Sequence, residues 1–217
     1  MINWRGAVAG MLAVGLVSGA AAAQDWKLAP EGYVYKPATP CLDDPVRASK
    51  PIRPGGAVYK VCEDQIAYLT ASIEAARKEG KLLIVTVGAT WCPWCAALQR
   101  AMPGPEFFGR HGDPIDYAKT FKHIEIGLST THKGRNALIY SGDAAVKALL
   151  MRAGGVKLEA IPFLFIIDPV QPGRVFARNT KDLSDFSTGR QDMAGFRKAV
   201  AEGAAYLRES GRPPRSD

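Results

Sequence analysis

Residues 81–100 read KLLIVTVGATWCPWCAALQR, and the fold turns on them. Lys81 opens Leu82-Leu83-Ile84-Val85-Thr86-Val87, a β-branched run of the kind that fills a central strand covered on both faces. Trp91-Cys92-Pro93-Trp94-Cys95 follows, and then Ala96-Ala97-Leu98-Gln99-Arg100, all good helix formers. The run predicts a buried strand feeding a helix, with Cys92 near the helix N-terminus and Cys95 about one turn in. Two cysteines separated by two residues can close a small disulfide ring, and the N–H groups and dipole at a helix start stabilise a thiolate. Cys92 is therefore the expected nucleophile, forming a mixed disulfide with a partner's sulfur, and Cys95 the expected resolving thiol, more buried and less ionised.

Cys-x-x-Cys also opens many zinc sites, but such sites need four ligands. No second Cys-x-x-Cys pair exists, and His111, His123 and His132 do not fall at ligand spacing to one another. No metal is assigned. Copper handling by the same dithiol, a non-catalytic binding module and a purely structural local disulfide stand as alternatives to exchange. Trp91, Pro93 and Trp94 offer an apolar surface suited to holding a polypeptide.

Upstream of the strand, Ile66, Leu69, Ile73 and Ala76 recur at helical spacing and Gly80 marks a stop. Downstream, Met102 to Pro114 is a Gly/Pro-rich segment, and a short helix is expected over 115–121. Strands are expected over 122–128, 163–167 and 174–178, and helices over 143–152 and 192–208. The order is βαβ followed by ββα, with no internal repeat, which predicts an α/β domain built on a central mixed β-sheet flanked by helices.

Residues 24–62 carry six prolines between Pro30 and Pro54 and no sustained periodicity, so they read as a Pro-rich N-terminal extension. Cys41 and Cys62 fall within it; a structural disulfide between them is the leading expectation, and a second redox pair the alternative. Residues 1–23 place Arg5 ahead of an apolar run that ends in Ala21-Ala22-Ala23, the pattern of a secretory signal peptide cleaved near Ala23. The apolar stretch from Ala7 to Val17 is shorter than the roughly 20 residues that span a bilayer. The domain proper is expected over 63–210, with a flexible tail over 211–217.

The 217 residues suit one decorated domain, and 47% hydrophobic with 23% charged is an ordinary globular composition. Formal net charge is +7, and loss of residues 1–23, which hold one base and no acid, leaves +6. Lys and Arg are scattered, with no cluster of five and no aromatic interleaving, so nucleic acid is not an expected partner.

The stretch from Val85 to Cys95 resembles the central strand, turn and Trp-Cys-x-x-Cys helix start of the thioredoxin superfamily. Ile161-Pro162 ahead of Phe163-Leu164-Phe165-Ile166-Ile167 resembles that family's cis-proline loop and the strand after it, with residues 168–173 as the hairpin turn. Gly189 is similar to the small residue by which partners approach the disulfide. The resemblance covers about residues 63–207 and implies a thioredoxin fold, with Cys92 nucleophilic, Cys95 resolving, and Ile161 and Pro162 holding an extended substrate. It implies a monomeric periplasmic protein-disulfide oxidoreductase that acts on polypeptides with thiols or disulfides and exchanges electrons with a membrane or periplasmic redox partner. No cofactor is expected beyond the redox-active Cys92–Cys95 disulfide.

Two departures bear on mechanism. Thr86 stands where thioredoxins proper carry a buried aspartate; for His123 and Glu125 on the neighbouring strand, an accident of the strand face is the leading expectation and a substitute role in proton handling the alternative. Pro93-Trp94 replaces Gly-Pro; proline first is more like glutaredoxins and periplasmic thiol oxidases, implying a potential less reducing than thioredoxin's, near −270 mV. The longer segment from Arg100 to Lys122 resembles exported reductase relays and foldase-related domains.

Overall fold

The computed structural model describes residues 26–29, 31–35, 59, 63–89, 92–109, 111–112, 114–128, 141–171, 173–185 and 190–209. Residues 1–23, where a signal peptide is expected, Cys41, Cys62, Trp91, Gly189 and residues 211–217 lie outside the described residues.

The chain enters the domain through helix α1, Gln65–Lys78. Asp64 caps it, its carboxylate accepting from the N–H groups of Ile66 and Ala67 at 3.0 and 3.1 Å, which satisfies two of the donors a helix start leaves open. Gly80, at φ +65°, adopts the left-handed conformation that turns the chain into the sheet. Strand β1, Leu82–Gly88, is buried from Leu83 onward. The active-segment helix α2 (Pro93–Ala101) and two single-turn helices, α3 (Pro105–Phe108) and α4 (Tyr117–Thr120), lead into β2 (Phe121–Gly127). Then come α5 (Ser141–Arg152), β3 (Phe163–Ile167), β4 (Val175–Asn179), a 3-10 turn (Lys181–Leu183), the two-residue strands β5 (Ser184–Asp185) and β6 (Arg190–Gln191), and α6 (Met193–Arg208).

The main sheet runs β2-β1-β3-β4. β1 is parallel to β2, with Thr86 opposite Glu125, and antiparallel to β3, with Val85 opposite Phe165; β4 pairs antiparallel to β3. Side chains alternate between the two faces of a strand. Leu83, Val85 and Val87 accordingly meet Ile66, Leu69 and Ile73 of α1 and Val146 and Leu149 of α5. Ile84 faces the other way and joins Leu98 of α2, Leu164 and Ile166 of β3, and Phe196, Val200 and Leu207 of α6. Covered on both faces, the central strands read as continuous apolar runs. This order, these directions and helices on both faces are the thioredoxin fold.

Several boundaries differ from the expected ones. The helix expected over 115–121 has one turn, because Phe121 already begins β2, its side chain stacking on Tyr117. The helix expected from Asp143 starts at Ser141. The Gly/Pro-rich segment after Met102 contains α3, with Pro105 at its start and Phe107 fully buried among Phe108, Tyr117 and Phe196. The described parts of the N-terminal extension also supply core. Trp26 and Leu28 pack under the α1 and α5 face, the indole N–H donating to the Pro169 carbonyl at 3.2 Å, and Tyr59 is buried beside the cysteines.

At the far end of α6, Arg174 donates to the carbonyls of Tyr206, Leu207 and Glu209 at 2.6, 2.8 and 2.9 Å. A guanidinium there closes the open acceptors of the helix C-terminus and meets its negative end.

Candidate functional site

The site forms where β1 hands over to α2. Cys92 is the N-cap of α2 with Pro93 in the first helical position, where a missing N–H costs nothing. The backbone N–H of Cys95 points at Cys92 Sγ from 3.1 Å. Cys92 and Cys95 are joined in a disulfide. On reduction, the same N–H and the helix dipole stabilise a Cys92 thiolate.

Across from α2, the Ile161–Pro162 peptide bond is cis, and the Ile161 carbonyl oxygen lies 3.7 Å from Cys92 Sγ. The loop is tied down from just past the end of β4, since Thr180, fully buried, donates its hydroxyl to the Pro162 carbonyl. The β5–β6 hairpin holds the motif from a third side: Gln191 Nε2 donates to the Trp94 carbonyl at 3.1 Å and also contacts Ser184 Oγ at 3.1 Å. Cys92, Cys95, Trp94 and Ile161 therefore share one apolar cluster, with Pro93 exposed and Pro162 buried beside Ile161. Of the residues singled out from sequence for contact with a partner, Trp91 and Gly189 are outside the described residues.

One expectation fails. Cys95 is not more deeply buried than Cys92, for both are 1% exposed. The helix turn shields Cys95, as expected, but Ile161 and the neighbouring Ala89 and Tyr59 close around the pair as a whole.

Behind the disulfide lies a polar cleft of about 280 Å³ lined by Tyr59, Glu63, Gln65, Tyr68, His123, Ile124 and Glu125. Thr86 does not face an acid on its own strand; its hydroxyl meets His123 Nε2 at 2.8 Å. Burial holds the His123 imidazole down to about 4, so the ring is neutral near pH 7. Burial pushes the Glu125 carboxyl up, offset in part by the hydrogen bond from Gln99 Nε2 to its Oε2. Tyr59 is raised well beyond its ordinary value, chiefly by burial and further by the Glu125 charge.

Sequence reasoning reached Cys92, Cys95, Ile161 and Pro162 and named Glu125 and His123. It missed Tyr59, Thr180 and Gln191. Gln99 carried a usable signal, since residues four apart share a helix face and Gln99 must lie beneath Cys95.

No protein-family model and no curated protein matches the sequence. Solved structures similar to this chain include the disulphide isomerase from Xylella fastidiosa Temecula1, at 18% identity over 69% of this chain and 96% of that one, with a TM-score of 0.39. Another is a thiol:disulfide interchange protein, a thioredoxin family protein from Chlorobium tepidum TLS, at 19% identity over 59% of this chain and 83% of that one, with a TM-score of 0.30.

Proposed function

We propose that the chain is a protein-disulfide oxidoreductase that exchanges thiols and disulfides with polypeptides through Cys92 and Cys95. The observation that carries this reading is the setting of Cys92 Sγ, which caps α2, receives the Cys95 N–H at 3.1 Å and stands 3.7 Å from the carbonyl beside a cis peptide bond. A sulfur so placed ionises readily, and its neighbour is backbone that an extended peptide can pair with.

In the reducing direction, the Cys92 thiolate attacks one sulfur of a substrate disulfide and the other leaves as a thiolate. Cys95 then gives up its proton and attacks Cys92 Sγ; the Cys92–Cys95 bond forms, the mixed disulfide breaks, and the substrate leaves reduced by two electrons. Run backward, the same steps oxidise a substrate dithiol. The Cys92/Cys95 dithiol supplies the electron pair and ends as the disulfide, so the exchange step itself calls for no further cofactor. A signal-like segment at 1–23 supports action in the periplasm, and the reading is of a monomer served by a membrane or periplasmic redox partner. No helix among the described residues is long and apolar enough to cross a membrane.

Reduction of insulin by a dithiol, followed by turbidity, tests the reading. The wild type accelerates it and Cys92→Ser does not; equal behaviour would instead favour a binding module whose cysteines do not turn over. The direction follows from the Cys92–Cys95 potential against glutathione. A value well below about −220 mV assigns a reductase and one near about −120 mV an oxidase.

A further inference from the structure

We infer that Tyr59, supplied by the segment ahead of α1, and Glu125 of β2 carry the proton that Cys95 must lose, a role that rests on the exchange reaction proposed above. Cys95 is 1% exposed and cannot hand its proton directly to bulk water. Tyr59 is the neighbour that joins it to the cleft. It belongs to one buried cluster with Cys92, Cys95 and Ala96, and the same residue lines the cleft together with Glu125. Its hydroxyl and Cys95 Cβ both crowd the one position above Gly88, so a side chain there would collide with both.

Glu125 is reached independently from α2. Cys95 and Gln99 are one turn apart on a single helix face, and Gln99 holds the Glu125 carboxylate by hydrogen bond. The acid thus sits under the turn that carries the resolving thiol. The cleft is polar and large enough for water to complete the contact between Tyr59 and Glu125.

As Cys95 Sγ attacks Cys92 Sγ, its proton passes to the Tyr59 oxygen while the Tyr59 proton moves through cleft water to the Glu125 carboxylate. The Cys95–Cys92 bond forms, the bond from Cys92 to the partner breaks, and the partner sulfur departs with the electron pair. Glu125 then returns the proton to solvent. Tyr59 never becomes phenolate, consistent with the upward push that burial and the facing carboxylate exert on it. The raised Glu125 carboxyl is better matched to a thiol than an exposed acid. The other groups facing Glu125 are His123 on its own strand, Glu63 and Tyr68 at the start of α1 and within it, and Gln99 of α2. His123, neutral above pH 5, holds Thr86 and does not compete.

The test follows a mixed disulfide between Cys92 and glutathione as it is resolved, over pH 5–9, in wild type, Tyr59→Phe and Glu125→Gln. Both variants are expected to resolve it about tenfold more slowly at pH 7, with the profile displaced to higher pH. Alkylation of Cys92 by iodoacetamide should be unchanged, because that sulfur is served by the Cys95 N–H. Profiles that overlay the wild type, or that are slowed equally at every pH, overturn the inference. Should Tyr59→Phe fail to fold, Glu125→Gln decides by the same criterion. A wild type that neither forms nor resolves the mixed disulfide overturns the exchange reading instead, so the two failures are distinct.

Discussion

Gln191 Nε2 donates to the carbonyl of Trp94 at 3.1 Å, tying a two-residue strand near the end of the chain to the middle of the Cys-Pro-Trp-Cys turn. Trp94 lies in the first turn of α2, and its carbonyl gives β6 a hold on that turn. Holding it fixes the orientation in which the Cys95 N–H meets Cys92 Sγ. Gln191→Ala should lower the unfolding free energy by no more than about 2 kcal/mol, the worth of its hydrogen bonds to Trp94 and Ser184. It should slow insulin reduction severalfold, and an unchanged rate would show that the turn is rigid without the contact.

How far the sequence reveals the site depends on how local each contact is. β1 and the helix start after it are legible because a β-branched run and a Cys-x-x-Cys spacing are short-range patterns. Pro162 is legible because a proline ahead of an apolar strand stands out. Tyr59 is not, for it lies in a Gly/Pro-rich stretch and its place beside Cys95 is a contact between residues far apart in sequence. Thr180 and Gln191 are ordinary polar residues whose partners, the Pro162 and Trp94 carbonyls, are set by the sheet and hairpin rather than by neighbours in sequence. α3 was hidden by its own composition, since Gly104 and Pro105 mark a loop as readily as the start of a helix turn.

Phe107 shows what that hidden turn contributes. It is fully buried, with ring centroids 4.8, 5.2 and 6.3 Å from those of Phe108, Tyr117 and Phe196 in edge-on contacts. Phe107→Ala would leave a cavity between α3 and α6 and is expected to cost about 3–5 kcal/mol in urea denaturation. A loss below about 1 kcal/mol would mean that α3 is not part of the cooperative core.

The Thr86–His123 pair predicts a pH dependence of stability. His123 is held neutral in the fold, at about 4 against 6.5 for the free side chain. Below 6.5 the unfolded chain takes up a proton that the folded chain refuses. The stabilisation is therefore complete above pH 6.5 and is lost as pH falls toward 4, a change on the order of 3 kcal/mol. Glu125, raised by burial, contributes with the opposite sign, so the comparison is made between wild type and His123→Gln. The difference between their unfolding free energies should vary across pH 4–6.5 and be flat above; a flat difference throughout would place the imidazole in contact with water.

Gly88 ends β1 where Tyr59 and Cys95 close on the backbone. A Cβ there would stand 2.8 Å from Tyr59 Cζ and 2.9 Å from Cys95 Cβ, closer than such atoms approach, and closer still to the Tyr59 hydroxyl. The backbone at Gly88 is regular strand, so the cost of Gly88→Ala is steric and not conformational. Something must move, and the tyrosine can swing out while Cys95 is anchored within α2. Gly88→Ala is expected to lose about 1–3 kcal/mol of stability. It should also raise the reactivity of Cys95 toward iodoacetamide in the reduced protein, because displacing Tyr59 opens the thiol to the cleft. In a Tyr59→Ala background Gly88→Ala should cost less than it does in the wild type, since the closest collision, with the tyrosine, is gone and only that with Cys95 Cβ remains. Additive losses in that double-mutant cycle would show that the two residues do not compete for the same space.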